Sequence, residues 1–192
     1  MFFILFILSC VILFLYFREG IEKYDHDKSL YEIDSDKYYR KVFNGREWIC
    51  IKKDYLYKLI KIAKDQINFD LSVEYIVAII EKESSYRIKV VGDDGDSVGL
   101  MQISNICLKQ VNEFYDMTFS KIDLYNERYN ILVGMYYLKW LYDYYTDDYR
   151  NIYKGYNGGP SAIRHSSVQV DENNRRVLEI YERLKKENND GI

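Results

Sequence analysis

The sequence predicts a mainly α-helical domain behind an N-terminal membrane anchor, and three observations carry that reading. Apolar residues recur at helical spacing in five successive stretches between Asp54 and Leu184. Alternating apolar and polar strands are absent there, apart from a short piece near Lys89 to Val91; another lies just before that region, near Trp48 to Ile51. An uncharged apolar run opens the chain.

That run extends from Phe2 to Phe17, 16 residues ending at Arg18. At about 1.5 Å per residue it covers roughly 24 Å, a little short of a hydrocarbon core of about 30 Å, and flanking side chains can snorkel across the difference. It has no basic n-region and no small-x-small cleavage site, so an uncleaved anchor over residues 1–18 fits better than a signal peptide. Arg18, Lys23 and Lys28 all follow the run, and by charge alone they would keep the domain in the cytoplasm. Residues 19–52 are dense in charge and interleaved with tyrosine. They read as a stalk, or as an extension packed on the domain, leaving 53–192 as the folded unit.

The first helical stripe is Leu56, Leu59, Ile60, Ala63 and Ile67. The second is Val73, Ile76, Val77 and Ile80, with Asp70 as its expected N-cap and one buried face. A third runs through Ile103, Ile106, Cys107, Val111 and Phe114, and a fourth from Ile131 to Tyr142, where Gly134 allows close helix approach. Val177, Ile180, Tyr181 and Leu184 form a fifth, expected to start at Asp171. Cys107 lies on an apolar stripe as a small hydrophobe, and a bridge to Cys50 is open in an oxidising compartment.

One carboxylate is placed differently from the rest. Glu83 continues the second stripe, about 20° round from Ile76, whereas Glu81 and Glu74 fall about 180–200° from Glu83 and read as surface charge. An acid on an apolar face has its ionised form disfavoured, which raises its pKa towards what a general acid needs. A buried Glu satisfied by a structural partner fits the same spacing, and burial alone favours that reading.

Other chemistries fit poorly. A net charge of -3 offers no basic stripe for nucleic acid. The loop Gly92 to Ser97 holds Asp93, Asp94 and Asp96 but lacks the register of a calcium loop, so no metal or other cofactor is expected. His26 and His165, the only histidines, have no nucleophile or zinc context. Glycoside cleavage is the reaction class that runs on carboxylates alone.

Three blocks, Glu83-Ser84-Ser85-Tyr86, Gly99-Leu100-Met101-Gln102-Ile103 and Tyr156-Asn157-Gly158-Gly159-Pro160, resemble the signatures of the soluble lytic transglycosylase family, in family order. Asn130, Ile131, Gly134, Tyr137 and Leu138 are similar to the helix preceding the last block. The resemblance implies a lysozyme-like helical fold with a cleft for peptidoglycan glycan strands, working outside the cytoplasmic membrane. It implies that Glu83 is the catalytic acid/base and that Tyr156 orients it. It places Ser84, Ser97, Met101, Gln102 and Asn157 at substrate-binding positions. Lys154, Gly155, Ser104 and Arg176 depart from the family's pattern.

The expected reaction is cleavage of the MurNAc–GlcNAc β-1,4 bond with formation of 1,6-anhydro-MurNAc by a single Glu. Two alternatives stand beside it. One is a hydrolytic muramidase of the same fold, with Asp96 or Asp93 as second acid. The other is a wall-binding structural part of an envelope machine.

Overall fold

A computed structural model describes residues 34–190, which from Asp36 onward form one compact unit. The expected anchor, residues 1–18, lies outside the described residues. Among those described, no helix is long and apolar enough to cross a membrane.

The unit opens with an antiparallel hairpin, β1 (Tyr38–Phe43) and β2 (Arg46–Ile51), paired from Tyr38 opposite Ile51 to Phe43 opposite Arg46. Its two-residue turn is Asn44-Gly45, with φ of 48° and 74°, the positive values that match the twist of tight hairpins. Cys50 and Ile51 at the end of β2 are buried, and Ile51 N–H donates to the Tyr86 carbonyl. The C-terminal part of the expected stalk therefore belongs to the domain, because its apolar residues have a core to enter.

Six helices follow. They are α1 (Lys53–Ile67), α2 (Val73–Ser84), α3 (Asn105–Tyr115), α4 (Glu127–Tyr145), α5 (Tyr149–Gly158) and α6 (Val168–Asn189). Between α2 and α3 lies a two-stranded ribbon, β3 (Val91–Gly92) and β4 (Ser97–Val98), closed by a 3-10 turn over Asp93–Gly95. α2 packs against α1 and α6, while α4 packs against α1, α3 and α5.

Several local expectations shift. α2 has no solvated face over its middle, since Tyr75 through Ile80 all have 0% exposure; neighbours surround it, as an all-apolar helix requires. Its N-cap position is Ser72, not Asp70. Glu81 is no idle surface charge: it accepts from Arg183 Nη2 of α6 at 2.6 Å and from the Tyr86 hydroxyl. Glu74 likewise accepts from Asn188 at 2.9 Å. In α3, Ile106 is 78% exposed and Phe114 41%, so its buried side is Cys107, Leu108 and Val111.

α6 begins three residues before Asp171, at Val168, where the Ser167 side chain accepts from the Val170 N–H. Cys50 and Cys107 are both free and buried, so the bridge open in the sequence is not formed. α5 was not expected at all.

Candidate active site

Glu83 occupies the last turn of α2, and Ser85, the residue after the helix end, adopts a left-handed conformation (φ 51°) and ends the helix. Its carboxyl is half-buried, and Oε1 accepts from the Tyr153 hydroxyl at 2.5 Å. Oε2 has no hydrogen-bond partner among the described residues. Burial raises the Glu83 pKa above the ordinary carboxylate value; the Tyr153 hydroxyl and the Lys82 ammonium pull the other way, and the Asp93 charge adds to the rise. Burial and the adjacent Glu83 charge also push the Tyr153 phenol up, so it stays a donor at neutral pH.

The tyrosine holding the acid is thus Tyr153, not the expected Tyr156. Tyr156 is one helical turn further along α5, its ring stacked on that of Tyr153 (centroids 6.0 Å apart, 17° between planes). Its hydroxyl donates to the Met101 carbonyl at 2.6 Å. Both tyrosines lie on one face of α5, since Tyr149, Ile152, Tyr153 and Tyr156 recur at helical spacing.

The loop from Ser97 to Ile103 is fixed by Asn130 of α4, which is wholly buried. Its Oδ1 accepts from Met101 N–H at 2.8 Å, and its Nδ2 donates to the carbonyls of Val98 (2.8 Å) and Leu124 (3.0 Å). Gly99, at φ 78°, makes room: a Cβ there would lie 2.3 Å from Asn130 Nδ2 and 2.9 Å from the Leu124 carbonyl oxygen. Gly134 serves the same loop, because a Cβ would meet Met101 Sδ at 2.4 Å. Its role is to admit a loop side chain, not a neighbouring helix.

The remaining expected site residues divide. Met101 joins Asn130 to Tyr156 through its backbone, with its side chain fully buried. Gln102 turns its amide nitrogen to the carbonyls of Gly99 (2.9 Å) and Val90 (3.1 Å), bracing the loop. Asn157 is exposed at the end of α5 and accepts from Asn173 at 3.1 Å. Ser84 has 0% exposure and donates to the Ile80 carbonyl at 3.0 Å, so it supports the helix end and cannot touch a ligand.

Ser97 is buried and donates to Asp93 at 2.7 Å. Asp96 accepts from the Asn105 side-chain amide at 2.5 Å, tying the loop to the start of α3. Of the two aspartates weighed as a second acid, it is Asp93 whose charge bears on Glu83. Tyr153, which holds Glu83, and Asn130, which holds the loop, join the candidate site without having been expected in these roles. Tyr153 was signalled by its place three residues before Tyr156, once tyrosine is counted as apolar.

A helical domain that buries one acid at a helix end, under a tyrosine hydroxyl and beside a pinned loop, belongs to the lysozyme-like class. The chain is a member of the transglycosylase SLT domain family, whose model matches residues 59–178. No curated protein matches it by sequence. Its fold is similar to the 70 kDa soluble lytic transglycosylase of Escherichia coli, with a TM-score of 0.58 and 21% identity over 69% of this chain and 26% of that one. It is also similar to an inactive mutant of lytic transglycosylase Slt from Pseudomonas aeruginosa (TM-score 0.57, 20% identity, 69% and 24% covered). A third similar structure is a 70 kDa soluble lytic transglycosylase in complex with bulgecin A (0.55, 22%, 68% and 25%). The chain thus spans about a quarter of the length of these proteins. The β1–β2 hairpin precedes the family match.

Proposed function

We propose that the domain is a peptidoglycan lytic transglycosylase that cleaves the β-1,4 bond between MurNAc and GlcNAc and leaves a 1,6-anhydro-MurNAc end. The observation that carries this reading is Glu83, an acid with its pKa raised by burial, held at Oε1 by Tyr153 and unpartnered at Oε2. Protonated Oε2 gives its proton to the glycosidic oxygen, the C1–O bond breaks, and the GlcNAc side leaves as an alcohol. The carboxylate then takes the proton of the 6-hydroxyl as that oxygen closes on C1. Glu83 ends protonated, as it began, and no water is consumed. Tyr153 fixes which oxygen is free, and the Met101–Gln102 loop and Asn157 wall the glycan.

The N-terminal apolar run anchors the domain in the cytoplasmic membrane and holds it on the outer side, where its substrate is. Digestion of purified peptidoglycan tests the reading: Glu83→Gln is expected to lower turnover by about 10²–10⁴-fold, and undiminished digestion would exclude catalysis by this acid.

A second reading is favoured by one observation, the Asp93 charge felt at Glu83. A muramidase would use Asp93 to activate water and produce reducing ends.

A further inference from the structure

The β1–β2 hairpin carries its charge unevenly. Residues opposite one another share a face, so Lys41, Phe43, Arg46 and Trp48 lie together, with Lys41 paired to Trp48 and Phe43 to Arg46. On the other face Arg40 is neutralised by Glu47 at 2.9 Å. The first face has no such acid. Arg87, from the segment after α2, lays its guanidinium over Trp48 (4.8 Å) and Phe43 (5.2 Å), and Lys41 and Arg46 lie over the same two rings at 4.9 and 5.9 Å. Among the described residues none of the three cations pairs with a carboxylate.

Arg87 is held in one orientation. Its Nε donates to the Ser84 carbonyl at 2.7 Å and its guanidinium lies over the two rings, while the two terminal nitrogens make no hydrogen bond among the described residues. A guanidinium fixed in this way has already lost the freedom that binding an oxyanion would cost, and its fork matches a carboxylate bidentately. Lys41 and Arg46, both exposed, add two further positive charges beside it. A structural staple between hairpin and helix needs the Nε bond and the stacking; it does not need three uncompensated cations on one face of a chain whose net charge is -3.

We propose that this face is an accessory anchoring surface for the free carboxylates of peptidoglycan stem peptides. The proposal rests on the function given above. The occupant follows from charge complementarity and from linkage: Arg87 is bonded to the residue next to Glu83, and a polymer held at the acid presents its other carboxylates to the same unit at high effective concentration. The hairpin, which carries Lys41 and Arg46, precedes the family match, while Arg87 lies within it.

The test uses the full chain in detergent, with wild type, the double variant Lys41→Gln/Arg46→Gln, and Arg46→Glu, all at exposed strand positions outside the acid's surroundings. Co-sedimentation is measured with intact peptidoglycan, with the same glycan after amidase removal of its stem peptides, and with vesicles of anionic phospholipid. The double variant is expected to bind intact peptidoglycan about tenfold more weakly, Arg46→Glu more weakly than wild type as well, and all three proteins are expected to bind stem-free glycan alike. Equal binding of the three to intact peptidoglycan overturns the proposal. So does an equal loss on stem-free glycan, or a wild-type preference for the vesicles. Cleavage of stem-free glycan by wild type is read in parallel; its absence would remove the catalytic reading while the binding comparison still decides the hairpin.

Discussion

Tyr153 donates its hydroxyl to Glu83 Oε1 at 2.5 Å, while Tyr156, stacked on it, donates to the Met101 carbonyl. Orienting the acid and fixing the loop are therefore separate tasks given to successive turns of one helix. Tyr153→Phe is expected to lower kcat about 10–100-fold with little change in KM. The hydroxyl favours the ionised acid, so its loss moves the alkaline limb of the pH–rate profile to higher pH. Tyr156→Phe should lower activity without moving that limb. A shifted limb in the Tyr156 variant and an unshifted one in the Tyr153 variant would reverse the assignment.

The strain on Glu83 has a stability consequence. Its pKa in the folded protein is raised by burial, so the penalty is absent below its ordinary value of 4.5 and fully present once pH exceeds the raised value. Glu83→Gln keeps the shape and removes the charge. Thermal unfolding should show the variant more stable than wild type at pH 8 by roughly a few degrees, with the difference vanishing near pH 4. A variant less stable at pH 8, or a difference independent of pH, would mean that burial does not disfavour this carboxylate.

Asn130 is the buried link between α4 and the loop. Asn130→Ala strands the Met101 N–H and the Leu124 carbonyl and leaves the Val98 carbonyl only its bond from the Ile103 N–H, and is expected to cost about 2–4 kcal/mol in denaturant unfolding. A loss under about 1 kcal/mol would show that the loop finds other partners.

Much of this architecture was legible in the sequence. The stripes of α1, α2 and α4 were visible because aliphatic residues recur at helical spacing along their buried faces, and the inward placement of Glu83 followed from the same period. α5 was missed because its inward face has one aliphatic residue, Ile152, beside Tyr153 and Tyr156, among polar residues and with Gly155 and Gly158 in the helix. With it went Tyr153, and hence the true partner of the acid. The hairpin had a plain signal in Asn44-Gly45, but charged flanking residues hid it. The roles of Ser84 and Asp96 were beyond periodicity: whether a polar side chain faces a ligand, its own helix or a neighbouring helix start depends on contacts that spacing does not encode.

The number of working acids is settled by where the new oxygen on C1 comes from. Peptidoglycan digested by wild-type protein in heavy-oxygen water and analysed by mass should give 1,6-anhydro-MurNAc ends without heavy oxygen, and Asp93→Asn should leave that product unchanged. Reducing MurNAc ends carrying the solvent's oxygen, lost in Asp93→Asn, would contradict a single-acid lyase and establish a hydrolase using Glu83 and Asp93 together.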